Sequence, residues 1–188
     1  MNIGFAMCGS FCTFKEVFPV METLSEKYNI SPIFSDTVYG TDSRFGTAQA
    51  NIRTAEQICG KSPLHTIAAV EPIGPKKLLD ALIVAPCTGN TLAKLAHSIA
   101  DTPVTMAAKS HLRNARPVII AVSTNDALGG AAENIGRLMA RKHYYFVPYR
   151  QDDYEQKPTS IVADFNQIPQ TLEFALCGRQ HQPILFKN

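Results

Sequence analysis

Ala81-Leu82-Ile83-Val84-Ala85-Pro86-Cys87-Thr88-Gly89-Asn90-Thr91-Leu92-Ala93-Lys94 is the stretch whose reading decides the fold. Its first five residues are continuously apolar, and Pro86 stands just beyond them. An apolar run without polar alternation predicts a strand buried on both faces, the position that parallel strands occupy. The residues from 91 to 99 then read as a helix, which completes a strand–turn–helix unit. Pro117-Val118-Ile119-Ile120-Ala121-Val122 is a second run of the same kind.

The unit recurs on both sides. Residues 2–8 read as a first strand. A helix follows over 13–28, with Phe14, Val17, Phe18, Val20, Met21 and Leu24 at helical spacing and Pro19 expected to bend it. Residues 31–34 predict a second strand, 35–43 a polar turn, and 47–59 a helix stopped by Gly60. A short third strand is expected over 64–68, helices over 103–112 and 130–142, and a last short strand over 144–148. Beyond a polar loop, 168–176 reads as a closing helix capped by Gly178. Strands alternating with helices predict an α/β fold: a three-layer, doubly wound parallel sheet, flavodoxin-like or Rossmann-like. The chain reads as one domain over 1–188. In such sheets ligands bind at the carboxyl ends of the strands, so the turns at 9–13, 35–40, 86–91 and 123–130 are candidates for one site.

Composition narrows the classes. With 188 residues, 45% hydrophobic and 18% charged, the chain is of ordinary globular make-up. A net charge of +2 argues against nucleic acid or an anionic membrane as the main partner. No run of about twenty apolar residues is present, so no membrane span is expected. The start, Met1 to Met7, has no basic lead-in and reads as a strand, not a signal peptide. The five cysteines are odd in number and scattered, which suits free thiols and a cytoplasmic location. Cys8 and Cys12 form the one close pair, and without a neighbouring histidine no metal site is expected.

Two turns can carry chemistry. In Cys8-Gly9-Ser10-Phe11-Cys12-Thr13, glycine lets the backbone approach a ligand, while free amides and the Ser10 hydroxyl can hold a phosphate. It has neither the Walker A spacing nor the three-glycine dinucleotide fingerprint. The alternative is a tight turn in which Ser10 merely caps the helix. In Pro86-Cys87-Thr88-Gly89-Asn90-Thr91, small and hydroxyl residues leave room for a flat ring and offer donors to its edge. Here too the alternative is capping, by Asn90 or Thr91. Cys87, in the same turn, is either a redox group or a small buried side chain.

On these residues a resemblance can be stated. The strand and turn over 81–94 resemble the strand and Pro-x-Ser-Ala-Asn-Thr motif of the FMN-binding, cysteine-decarboxylase-like flavoproteins. That family also opens with a strand and Gly-Ser turn, matched by Gly9 and Ser10, and carries an aspartate and a threonine matched by Asp101 and Thr105. The later segments 121–130, 149–153 and 157–164 resemble the B-subunit family of dipicolinate synthases from spore-forming bacteria. Residues 149–188 are then a family-specific loop and helix. The resemblance implies FMN held by Gly9, Ser10, Phe11, Cys12, Ser35, Pro86, Cys87, Thr88, Asn90, Thr91, Thr105 and Ser123. It further implies action with the A subunit of dipicolinate synthase, a nicotinamide-dependent dehydrogenase-like partner that carries the NAD(P). Together they would oxidise a dihydrodipicolinate-type ring to dipicolinate in the mother cell during sporulation. Relatives build symmetric assemblies, so a homo-oligomer is implied as well.

The departures matter. Where the decarboxylases place their acid–base histidine, this chain has Pro72 in Pro72-Ile73-Gly74-Pro75, and His65 lies upstream. The family's Pro-x-Met-Asn substrate motif falls on Val122-Ser123-Thr124-Asn125, keeping only the asparagine. Catalytic residues are therefore not assigned. A small dicarboxylate substrate directs attention to Asn125, Lys109, Arg113, Arg150 and Lys157, with Arg150 favoured because guanidinium pairs a carboxylate bidentately. Tyr149 with Arg150 can equally form a contact between protomers. The alternative function is a cofactor-free binding module that stabilises or activates the dehydrogenase.

Overall fold

The computed structural model describes residues 1–186. Seven strands form the central sheet: β1 (Asn2–Met7), β2 (Asn29–Phe34), β3 (Ala81–Cys87), β4 (Val118–Thr124), β5 (Tyr144–Phe146), β6 (Tyr149–Gln151) and β7 (Ile161–Ala163). The helices are α1 (Phe14–Ser25), α2 (Asp36–Gly40), α3 (Ala48–Cys59), α4 (Ile67–Val70), α5 (Gly89–Ala96), α6 (Pro103–Leu112), α7 (Ala132–Met139) and α8 (Ile168–Leu176). Short 3-10 turns precede α1 and α8, and another follows α4.

The two apolar runs make the centre of the sheet. All seven residues of β3 are buried, as are Val118 to Ser123 of β4. Each fully buried Val, Ile or Leu contributes about 1.5–3 kcal/mol, so these strands anchor the fold. β2, β1, β3, β4 and β5 run parallel in that order, the flavodoxin-like arrangement. The order reverses between β1 and β3. Right-handed crossovers therefore place the helix after β1 and the helices after β3 on opposite faces, and a crevice opens where they part. Consistent with this, α1 packs on α3 and α8, while α5 packs on α6 and α7.

The sheet is mixed, not purely parallel. β4 pairs with β5 through Val118–Ile120, then exchanges that neighbour for β7, which joins antiparallel at Ser123 and Thr124. β6 completes the ribbon antiparallel to β7. The expected strand over 64–68 is a single bridge between Leu64 and Ile33, and Ile67–Val70 is helical because Thr66 caps it through the Ala69 amide. The turn over 35–43 contains α2, capped by Ser35. Residues 144–148 end as strand at Phe146, and the chain re-enters the sheet at Tyr149. α1 runs through Pro19 as one continuous helix. No helix of the described residues is long and apolar enough to cross a membrane.

Candidate functional site

At the carboxyl edge of the sheet the first turn meets the end of β4. The Ser10 and Ser123 hydroxyls are hydrogen-bonded at 2.8 Å across 113 residues of sequence. They border a cleft of about 590 Å³, within the roughly 300–1,000 Å³ of small-molecule sites. The first turn is tied to its neighbour by the Cys8 amide, which donates to the Pro86 carbonyl at 3.2 Å. A side chain at Gly9 would put a Cβ 3.0 Å from Thr37 Cγ2, so glycine fits this packing.

Capping discriminates between the two readings of the first turn; at the second, α5 begins after Thr88, and Asn90 and Thr91, the expected caps, already lie inside the helix. Ser35, Thr47, Thr66 and Thr102 each accept a backbone amide at the start of a helix. Ser10 and Thr88 occupy the same N-terminal cap position, yet neither side chain caps. Ser10 Oγ turns to Ser123, and the Thr88 hydroxyl donates to Thr91 Oγ1 at 3.3 Å. The first amides of a helix have no carbonyl within it to accept them. At both turns they are left without a side-chain cap, an arrangement suited to an anionic ligand. These residues fit the phosphate end of a mononucleotide.

The ring-side turn is partly committed to structure. Pro86 and Cys87 are buried. Burial, followed by the nearby Cys8 thiol, pushes the Cys87 thiol well above its usual range, so it stays protonated and is not poised for covalent or redox work. Thr91 donates to Cys8 Sγ at 3.3 Å, while burial holds the Cys8 thiol at about 11. Asn90 is exposed at the helix start, and Thr88 lines the cleft. Gly89, which stands where the related motif has alanine, has a structural reason. A Cβ there would meet Asp126 Oδ1 at 2.8 Å and Thr124 Oγ1 at 2.9 Å.

The far wall comes from β6, β7 and the loop between them. Arg150, Asp152, Lys157 and Ser160 all line the cleft. Lys157 is paired with Asp152 at 2.9 Å, which raises the ammonium's pKa. Arg150 has no ion-pair partner among the described residues and remains the available guanidinium. Asn125 is held by this loop: its carbonyl accepts the Thr159 hydroxyl at 2.7 Å and its Oδ1 faces Ser160 Oγ at 3.4 Å.

Other candidates lie elsewhere. Ser35 spends its hydroxyl on the Val38 amide at 3.3 Å. Thr105 is buried in a reciprocal cap with Thr102. Thr105, Lys109 and Arg113 line a different cleft. Asp101 is paired with Lys94 at 2.8 Å, which lowers its pKa through the Lys94 hydrogen bond. His65 is stacked on Tyr39 with ring centroids 3.5 Å apart, and Pro72 sits in the 3-10 turn after α4. Tyr149 is largely buried and its hydroxyl faces Met139 Sδ at 3.9 Å.

A profile of the Flavoprotein family matches residues 1–153. The B subunit of dipicolinate synthase from Bacillus subtilis (strain 168) is 44% identical over 188 residues, all of this chain and 94% of that one. The chain belongs to the Flavoprotein family and, within it, to that of the dipicolinate synthase B subunits. The crystal structure of the dipicolinate synthase B subunit from Bacillus halodurans C superposes on this Flavoprotein with a TM-score of 0.91. Identity is again 44%, over 100% of this chain and 96% of that one. Burkholderia xenovorans DmrB, solved in complex with FMN, shares the fold at a TM-score of 0.68 and 17% identity, covering 94% and 95% of the two chains.

Lys15 and Glu16 line this Flavoprotein's cleft without being singled out in the sequence, and two further contributors escape the sequence reading. Phe45 lines the mouth, 53% exposed, with the Arg44 guanidinium 4.8 Å from its ring centroid. An aromatic ring left open beside a cleft is the available signal. The other is the β7 segment, whose Ile161-Val162 carries the β-branched residues of a strand but is only three residues long.

Proposed function

We propose that this chain is the FMN-binding component of a dipicolinate synthase. Acting with a dehydrogenase-like A subunit that carries NAD(P), it oxidises a dihydrodipicolinate-type intermediate to dipicolinate in the mother cell of a sporulating bacterium. The observation that carries the reading is the meeting of the uncapped Gly9–Ser10 turn with Ser123 beside Thr88, in one cleft walled by Arg150. The likeness to the B-subunit relatives over the whole chain supports it.

The phosphate belongs to Gly9, Ser10 and the amides of Phe11 and Cys12, with Ser123 beside them. Thr88, Asn90 and Thr91 border the ring. FMN bound there supplies the hydride or electron chemistry that side chains lack. The chain's own residues bind and orient. Arg150 pairs a substrate carboxylate, Lys157 is neutralised by Asp152 and adds only a hydrogen-bond donor, and Asn125, fixed by the Thr159–Ser160 segment, presents its amide. No histidine is among the described residues that line this cleft, so decarboxylation of the relatives' kind is not supported.

One observation favours a second reading, a cofactor-free activator of the dehydrogenase: the Ser10–Ser123 bond gives each hydroxyl a partner without a ligand. Reconstitution with the dehydrogenase-like partner separates the two. On the first reading Arg150→Ala raises the KM for the dicarboxylate about tenfold, or about 1.4 kcal/mol, with kcat little changed. A KM that does not move removes Arg150 from the substrate site. Synthase activity that is unaffected by flavin removal favours the activator. The same preparation on a sizing column tests the proposed homo-oligomer.

A further inference from the structure

A second cleft lies at the opposite edge of the sheet. It occupies about 520 Å³ between the carboxyl-terminal ends of α5, α6 and α7 and the start of β5. Leu95, Ile99 and Leu112 give it an apolar floor. Its rim is cationic: Lys109, Arg113, Arg141 and Lys142 all line it, with no carboxylate among the lining residues. None of these cations is in an ion pair with a described residue, and the nearest acid in sequence, Asp101, is already paired with Lys94.

Two features set this apart from a merely solvated basic patch. Arg141 is fixed, because its guanidinium donates to the Leu95 and Ala96 carbonyls at 3.1 and 2.6 Å and so closes the end of α5. That leaves further N–H groups on a rigid fork. Tyr144, nine-tenths buried at 9% exposure, also lines the cleft, and its hydroxyl has no hydrogen-bond partner among the described residues. The ring is buried while the hydroxyl is not among the enclosed polar atoms, so the hydroxyl is reached by solvent and is free to donate to a ligand that enters the cleft.

We propose that this cleft binds a small organic anion, an apolar body bearing a carboxylate or phosphate. Arg113, Lys109 and the Tyr144 hydroxyl receive the oxyanion, and Leu95, Ile99 and Leu112 receive the body. The site is separate from the Ser10–Ser123 cleft and does not depend on its occupant.

Backbone amide shifts of the labelled chain, titrated separately with phenyl phosphate, phthalate and inorganic phosphate, test this. At least one aromatic anion should saturate at or below about 1 mM, with shifts centred on Leu95, Arg113 and Tyr144. Inorganic phosphate, lacking the apolar body, should bind more weakly, and the better aromatic anion identifies the headgroup. Lys109→Ala/Arg113→Ala should weaken that anion at least about tenfold while leaving an FMN titration unchanged. Tyr144→Phe, which keeps the ring and removes only the hydroxyl, should weaken it less and in the same direction. Saturation by neither aromatic anion, equal affinity in the double variant, or shifts confined to the Ser10 cleft would each overturn the proposal.

Discussion

Acidification should destabilise this protein, chiefly through one histidine. His111, in the last turn of α6, is fully buried, and its Nε2 lies 3.1 Å from the Pro117 carbonyl. A carbonyl only accepts, so Nε2 carries the proton and Nδ1 is the bare nitrogen, which has no partner. Burial, opposed by the Pro117 carbonyl and aided by the Arg116 charge, lowers its pKa from 6.5 to about 4. Because the folded pKa is the depressed one, the unfolded chain takes up the proton first. Stability is therefore intact above pH 6.5 and is lost as pH falls toward 4. The linkage amounts to about 2 kcal/mol at pH 5 and about 3 kcal/mol at pH 4, a large part of a typical domain's stability. His181, whose pKa burial also lowers, acts in the same direction, so wild type alone does not isolate His111. Urea unfolding of wild type and His111→Gln at pH 7.5 and pH 5, followed by circular dichroism, does. The variant is less stable at pH 7.5 but should lose about 2 kcal/mol less on acidification than wild type. Equal losses in the two proteins would refute the reasoning.

Gly74→Ala should cost about 1–3 kcal/mol in the same assay, because its Cβ falls inside contact distance of the Ser110 backbone carbonyl, which cannot yield as a side-chain tip can. A midpoint equal to wild type would show that α6 shifts freely. Phe45→Ala should leave the stability within about 0.5 kcal/mol, since the ring is exposed, yet weaken flavin binding several-fold. Unchanged flavin affinity would place the ring outside the site.

The residues that sequence reading places correctly are those whose signals are local. Continuous apolar runs of about five residues are too short for most helices and here adjoin Pro86 and Pro117, so β3 and β4 are legible, and with them the edge where Ser10 and Ser123 meet. The pattern after Pro63 misleads because Leu64 and Ile67-Ala68, split by the polar His65 and Thr66, suit strand and helix equally, and the Thr66 cap decides for helix from Ile67. β7 pairs with β4 across nearly forty residues, and no short-range pattern announces a partner at that distance. That is why the wall carrying Arg150, Asp152 and Lys157 is visible in the sequence only as charged residues.

Lys109 shows the complementary limit. Its residue type alone suggests a substrate contact, but α6 carries it to the opposite edge of the sheet, where Arg113 and Arg141 join it. Ser35 shows another, since a serine after a strand is either a ligand contact or a cap, and only the Val38 amide decides. The same capping criterion strengthens Ser10 and Thr88, whose side chains leave their helices uncapped.

The central claim is that the first turn holds a flavin phosphate, and an absorbance titration of the purified chain with FMN tests it most directly, with Ser10→Asp alongside. The carboxylate would stand against the phosphate dianion and should weaken binding at least about 100-fold, roughly 3 kcal/mol. The account predicts a perturbed flavin band that saturates in wild type and is absent in the variant, both proteins being folded by thermal unfolding. A folded wild type that leaves the flavin spectrum unperturbed, or a variant that binds as tightly as wild type, would contradict it.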